Sequence, residues 1–270
     1  MRRAPSFLLI LFLILLGLPG AGAFAASQGP LDPKEALRVS QAAIGRLPSP
    51  AHRLVEAGGR AVTLGDYRGK PLVISLVYSS CYQTCPTITQ TLAKAIGKAR
   101  AALGPEGFRV VSIGFDTAKD TPEAMRLFAK SQGVSMEGWE FLSTDPVTLS
   151  VLAEELGFIF WASPRGFDHL TQTTILDKEG RVHVQIYGDT FETPLLVEPL
   201  KDLVLGRAVA AFSSVESLVD RVRLFCTIYD PATDGYRFSF AIFIEIFMAA
   251  SSVILAGIFL WRINRRKRSA

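Results

Sequence analysis

Two cysteines with three residues between them stand out for chemistry: Cys81 and Cys85, in Tyr78-Ser79-Ser80-Cys81-Tyr82-Gln83-Thr84-Cys85-Pro86. A thiolate binds soft metals and attacks disulfides, and it forms where orphan N–H groups and the helix dipole favour an anion. The flanking pattern supplies such a place. Leu72–Tyr78 is a β-branched apolar run after Gly69-Lys70-Pro71, the mark of a buried strand. Pro86 suits the first turn of a helix, and Ile88, Leu92 and Ile96 follow at a spacing of four. Both thiols therefore fall in a strand-to-helix loop, with Cys85 at the helix N-terminus. The spacing is CxxxC, not the CxxC of most dithiol oxidoreductases. Three intervening residues let the loop aim both sulfurs at one point, which suits chelation of a metal, and a disulfide across it is also feasible.

Two thiolates leave a metal site incomplete, so a third donor is sought among His52, His169 and His183. His52 lies upstream, near a tether. His183 alternates with Val182 and Val184 in a strand pattern and is expected to face outward. His169 is expected in a loop before a strand, directly after Asp168, which could orient the imidazole or adjust its basicity. A loop there can reach the C-terminal ends of central strands. Cys81, Cys85 and His169 form a soft donor set that suits Cu(I), and Cu(II) when an oxygen or water completes it; zinc is chemically possible. The same Cys81 and Cys85 can serve as a redox-active dithiol.

The elements that must position these residues read as an α/β succession. Arg60–Leu64 is a short strand, and Phe108–Phe115 is a second buried one. Asp120-Thr121-Pro122-Glu123 opens a helix reaching about Ser131, with a cap, an early proline and a first-turn acid. Trp139–Leu142 is a strand, and Asp145-Pro146 starts a helix running through Leu156. After Phe158–Trp161, Thr173–Leu176 and Val182–Tyr187 pair about the turn Asp177-Lys178-Glu179-Gly180. Residues 193–225 are largely helical with a break near Gly206, and Tyr229–Gly235 is a turn-rich neck. Strand and helix alternating before a hairpin and a closing helix predict a three-layer fold, a central mixed sheet flanked by helices.

Both ends are expected to address the chain to a membrane. Residues 1–25 carry a basic start, an apolar core and small-residue cleavage sites, the pattern of an export signal. Residues 26–53 read as a tether, 54–206 as the functional domain, and 207–237 as a helical segment and neck. Residues 238–261 are almost all apolar and long enough for a transmembrane helix, with Glu245 as its one acid. Residues 262–270 are a basic tail, which the positive-inside rule places in the cytoplasm. The domain is thus expected on the periplasmic side, anchored to the inner membrane by its C-terminus. Without Arg2, Arg3, the five tail cations and Glu245, the chain's formal charge of +4 becomes about −2. That removes the electrostatic case for a nucleic-acid partner.

Four ordered blocks resemble the Sco/SenC family. They are Tyr67-Arg68-Gly69-Lys70-Pro71 leading into Tyr78-x-x-Cys81-x-x-x-Cys85-Pro86, then Phe115-Asp116-x-x-x-Asp120-Thr121-Pro122, then Asp168-His169, and finally Leu176-Asp177-x-x-Gly180. The resemblance implies a thioredoxin-like fold with Cys81, Cys85 and His169 as copper ligands. It implies that Asp116 is a motif aspartate near the site, while Asp168 precedes the ligand histidine. It also implies delivery of copper to the dinuclear centre of cytochrome c oxidase subunit II, or reduction of that subunit's cysteines. A Cys81–Cys85 disulfide would abolish metal binding, so a thiol reductant is a further expected partner. Two features depart from the family: Tyr82 stands where its motif has proline, and the anchor is C-terminal. Cys226 lies outside the shared blocks and reads either as a small buried hydrophobe or as an exchange thiol. Three functions follow: a membrane-tethered copper metallochaperone, an exported thiol-disulfide reductase, or a copper or redox sensor. A reductase should tolerate loss of His169; a chaperone should not.

Overall fold

Helix α1 (Pro33–Gln41) starts where the Asp32 carboxylate accepts the Lys34 N–H and Pro33 fills the first turn. It opens a computed structural model that describes residues 31–164, 166–210, 227–230, 233, 235–238, 244–255 and 257. There follow β1 (Arg53–Glu56), β2 (Ala61–Thr63), a 3₁₀ turn (Leu64–Tyr67), β3 (Leu72–Val77), α2 (Thr84–Leu103), β4 (Arg109–Gly114) and α3 (Pro122–Ser131). Next come β5 (Trp139–Ser143), α4 (Pro146–Glu155), β6 (Phe160–Ser163), β7 (Gly166–His169), β8 (Gln172–Leu176), β9 (Val182–Tyr187) and α5 (Thr193–Ala210). The hairpin β10 (Thr227–Asp230) and β11 (Gly235–Phe238) closes the order.

Among the described residues the main sheet has seven strands in the order β2-β1-β5-β4-β3-β8-β9. Strands β3, β4 and β5 are parallel, whereas β8 runs antiparallel to β3, and β1 antiparallel to β5. All six residues of β3 are buried, so both faces of the sheet are covered there. This is a mixed α/β thioredoxin-like fold. It places the cysteine loop at the C-terminal end of a central strand, where open α/β sheets present their clefts.

The stretch expected to be a tether is largely part of the body. Ala36, Ser40 and Ala43 are buried, and the Tyr187 hydroxyl donates to Ser40 Oγ at 3.2 Å. His52 is buried with Nε2 2.5 Å from Glu155 Oε2, and the same carboxylate oxygen accepts the Ser49 N–H at 3.1 Å. Glu155→Ala leaves both partners without an acceptor and should cost about 2 kcal/mol. Urea unfolding of the two proteins measures this, and an unchanged midpoint would show the contact to be dispensable.

Other boundaries differ from the sequence reading. His169 ends strand β7 and is not in a loop, because Gly166–His169 pairs antiparallel with Phe160–Ser163 in a small separate sheet. Helix α5 runs through Gly206 without breaking. The neck holds strands, and Tyr236 in β11 donates from its hydroxyl to Glu198 Oε1 at 2.9 Å. Within the segment expected to open α3, Thr121 is the cap, its Oγ accepting from the Ala124 N–H. The expected signal peptide (1–25), Cys226 and the tail (262–270) lie outside the described residues. Of the expected membrane span 238–261, residues 244–255 are helical and expose Ile244, Ile246, Phe247, Met248, Val253 and Leu255. Among the described residues no helix is long and apolar enough to cross a membrane.

Candidate functional site

Helix α2 begins at Thr84 with no side-chain cap from Gln83, so its first N–H groups need another acceptor. The Cys81 sulfur supplies it: the Cys85 N–H donates to Cys81 Sγ at 3.3 Å. Both thiols are free, Cys81 half-buried and Cys85 only 1% exposed. The Cys85 thiol donates to Cys81 Sγ. With that bond first, and with backbone donors at Cys85 and Gln83 and the Tyr78 hydroxyl, the Cys81 thiol is held far below its ordinary range. Cys85 is pushed far up, by its bond to the Cys81 sulfur first and by burial second. The expectation from helix position alone is therefore reversed. Cys85 sits in the first turn, but its sulfur is buried beside an anion, while Cys81 collects the donors.

The loop is fastened from below by Asp120. This residue is 1% exposed, and its Oδ1 accepts the Ser79 N–H at 2.8 Å and the Ser79 hydroxyl at 2.6 Å. Its Oδ2 accepts the Asp116 N–H at 2.8 Å. Burial raises the Asp120 carboxyl above its usual range despite these donors. Asp116 is buried as well; its Oδ2 lies 3.4 Å from Lys119 Nζ and has no hydrogen-bond partner. Asp116 thus belongs to the support under the loop, at the end of β4.

His169 sits against an aromatic cluster, its ring centroid 5.3 Å from Phe115, 5.5 Å from Phe158 and 6.3 Å from Tyr78. Nδ1 lies 3.3 Å from the Leu170 carbonyl. Burial lowers the imidazole pKa, outweighing the opposing pull of the Leu170 carbonyl and the Cys81 and Asp168 charges. The ring is therefore neutral near pH 7 and keeps a lone pair for a metal. Asp168 alternates to the other side of β7 and is exposed, and the hydrogen-bonding contact of the imidazole is Leu170, not Asp168. The structure brings Cys81 and Cys85 together and sets His169 beyond Tyr78. No group of three His, Cys, Asp or Glu side chains able to hold a metal is assembled among the described residues. His52 and His183 are elsewhere: the first is bound to Glu155, the second exposed on β9.

Tyr82, between the cysteines, is 94% exposed, so the site has an open rim. A separate groove of about 780 Å³ runs along Phe115, Phe158, Phe160 and Phe167 to Leu149 and Val39, and contains neither cysteine nor His169. Sequence reasoning missed Tyr78 and the anchoring role of Asp120. Tyr78 read as the end of an apolar strand, and Asp120 as part of the segment that opens a helix. The one usable signal was the spacing Asp116-x-x-x-Asp120, which returns a second carboxylate to the end of β4.

A thioredoxin-like sheet with an acidic thiol and a buried partner thiol at the end of its central strand defines a dithiol protein of that fold. The SCO1/SenC family model matches residues 45–204, and the chain belongs to that family. A SCO1 protein homolog of Bacillus subtilis is 25% identical over 85 residues, 32% of this chain and 43% of that protein. The chain thus matches under half the length of that curated relative. A crystal structure from Aquifex aeolicus VF5 is 29% identical, covering 60% of this chain and 95% of its own, with a TM-score of 0.56. The copper-bound ScoI of Arabidopsis thaliana is 20% identical, covering 56% of this chain and 94% of its own, with a TM-score of 0.50.

Proposed function

We propose that this chain is a membrane-tethered copper carrier that binds the ion through Cys81, Cys85 and His169. Its cargo goes to the dinuclear copper centre of cytochrome c oxidase, through that enzyme's subunit II. The observation that carries the reading is the thiol pair: one sulfur anionic and half-exposed, the other beside it, with the His169 ring centroid 6.3 Å from that of Tyr78. Soft sulfur donors with an imidazole select Cu(I) and accept Cu(II). Family membership and the copper held by the Arabidopsis relative support the choice of metal. Residues 244–255 expose a run of large apolar side chains, which supports a lipid-embedded C-terminal helix; the cations of residues 262–270 favour a cytoplasmic tail and so a domain on the periplasmic side. Asp120 holds the loop from beneath and is itself met by the Asp116 N–H, and Asp168 contributes negative charge beside His169.

Transfer on this reading is ligand exchange. The reduced pair takes the ion, His169 completes the site by moving with its hairpin, and the acceptor's thiols displace the ligands in turn. A thiol reductant keeps Cys81 and Cys85 reduced, since their disulfide has no thiolate to offer. The test is titration of the protein with Cu(I) and Cu(II), reduced and oxidised. Wild type should bind one ion when reduced, the Cys81→Ser/Cys85→Ser variant none, and His169→Ala should bind more weakly while keeping its fold. Equal binding by the double variant rejects the carrier reading.

One observation favours a second reading. The opposed thiol pKa values are those of a nucleophile and a resolving partner, as a thiol-disulfide reductase needs. Reduction of a partner disulfide by the His169→Ala variant at wild-type rate, with no copper bound by either protein, would favour that reading.

A further inference from the structure

The groove of about 780 Å³ lies between the body of the domain and the small hairpin, and its size is that of sites that hold a sizeable guest. Phe115, Phe158 and Leu149 line it from the core, each no more than 4% exposed. Phe160 and Phe167 line it from the hairpin and are half-buried. Phe160 is the Cα partner of His169, and Phe167 alternates onto the same face. That face meets Phe115, whose ring centroid is 5.1 Å from Phe160, 5.2 Å from Phe167 and 5.3 Å from His169. Phe115 therefore belongs both to the groove and to the surroundings of the imidazole.

The two sides of the groove differ in firmness. Gly157 (φ +66°) packs so closely on α1 that an added Cβ would stand 2.7 Å from the Val39 carbonyl oxygen. The hairpin, among the described residues, pairs with no strand of the main sheet, and an isolated two-stranded hairpin is marginal in water. A guest thus meets a fixed wall on one side and a yielding one on the other. The polar lining has a sign as well. Asp116 is 8% exposed, and its Oδ2 has no hydrogen-bond partner. Lys119 Nζ lies 3.4 Å away, on a side chain 66% exposed, where an ion pair contributes little. Glu154 adds a second carboxylate, while Arg46 directs Nη1 to the Glu154 carbonyl at 2.9 Å. A cationic donor is the complement of this lining.

We propose that this groove is the docking site for a segment of the partner polypeptide that carries an aromatic side chain close to a lysine or arginine. The ring enters among Phe115, Phe160 and Phe167, and the cation takes the place of Lys119 at Asp116. That the guest is a polypeptide rests on the proposed function, which in either form brings another protein's sulfurs to Cys81. A segment seated against Phe115 keeps its own chain beside the thiols, so recognition and exchange fall on adjoining surfaces.

The test selects a random peptide library, displayed on phage, against the full chain, reduced and metal-free. Retained peptides should share an aromatic residue close to a lysine or arginine. By fluorescence anisotropy, a synthetic peptide of that sequence should bind about tenfold more weakly to Asp116→Asn, which keeps the shape of the carboxylate without its charge. Ser150→Arg, at an exposed position of the lining, should weaken binding at least as much. Lys119→Ala should strengthen it about threefold by removing the competing surface cation. Ser150 and Lys119 are both exposed, so these two variants alter the groove without disturbing the core. Hydrogen–deuterium exchange should place the peptide's protection on the hairpin and α4. Retained peptides without a basic residue, affinities unmoved by the three substitutions, or protection confined to the cysteine loop overturn the proposal. So does the recovery of no peptide, and self-association of the chain that Ser150→Arg abolishes would assign the groove to a second copy instead. If the peptide docks as expected while the protein binds no copper, the carrier reading falls and the docking site stands.

Discussion

Asp120→Ala is expected to destabilise the fold by about 3 kcal/mol and to release the cysteine loop. Three donors converge on this carboxylate, the part-buried Ser79 N–H and hydroxyl and the buried Asp116 N–H, and alanine removes the acceptor from all of them. A buried donor stripped of its acceptor costs about 1–3 kcal/mol, and the three share one site, so the losses do not add fully. The surroundings offer no replacement. Gly114 lies so close that a Cβ there would stand 2.4 Å from Asp120 Cβ, showing how tightly the carboxylate is enclosed. Asp120→Asn keeps the shape and one acceptor oxygen, and should cost less than alanine. Urea unfolding measures both, and a loss below about 1 kcal/mol for alanine would mean that water takes over the acceptor role.

The same residue gives stability a pH dependence. Its native pKa is raised by burial, so between the unfolded value and the native one the folded state binds more protons than the unfolded state. Stability from this group is therefore full below the unfolded carboxylate pKa and is lost as pH rises through the native one. Asp120→Asn should remove that slope, so the gap between the two proteins is widest in acid. An unaltered pH profile in the variant would remove Asp120 as its source.

The second large effect concerns the thiols. Of the two site thiols, iodoacetamide should alkylate Cys81 in the reduced, metal-free protein, with Cys85 shielded by burial and by its raised pKa. The pH profile of Cys81 should have its midpoint far on the acid side of an ordinary thiol near 8.5. The midpoint is the observable to follow, because a more acidic thiolate is also less nucleophilic and the absolute rate partly cancels. Cys85→Ala removes the first of the bonds that stabilise the anion and should move the midpoint up by about one to two pH units. That follows from about 1.5–3 kcal/mol for a hydrogen bond to a charged group and 1.36 kcal/mol per unit. Mass spectrometry of the labelled peptides reads both results. Equal labelling of the two cysteines at pH 6 would dismantle the assignment of the thiolate to Cys81.

The strand-loop-helix around the thiols was legible because each part has a strong local signal: the β-branched run Leu72–Val77, Pro86 after the second cysteine, and the spacing of Ile88, Leu92 and Ile96. The alternation of strands and helices gave the mixed sheet for the same reason. What escaped depends on contacts distant in sequence. β1 exists by pairing with the distant β5, and α1 packs where Ser40 meets Tyr187, 147 residues away. The strand containing His169 is four residues long, pairs among the described residues with one equally short neighbour, and has no alternating pattern to betray it. Asp120 precedes Thr-Pro and so has the sequence signature of a cap, while its carboxylate is in fact turned toward Ser79. Assigning the thiolate needed the donor geometry around each sulfur, since helix position alone favoured the wrong cysteine.

The small hairpin outside the main sheet has a kinetic consequence. The sulfurs are rooted in a fully buried central strand and a 20-residue helix, whereas the imidazole rides on two strands of four residues each. Local opening is cheapest where least surface is buried, so the nitrogen side detaches many times for each excursion of the sulfur side. On the proposed copper-carrying function, a departing ion would shed the imidazole early and reversibly, exposing one vacant position to an incoming thiol while both sulfurs still hold on. Residence time is then governed by the sulfurs and readiness to hand over by the hairpin, so the two quantities can be tuned by mutations in different parts of the chain.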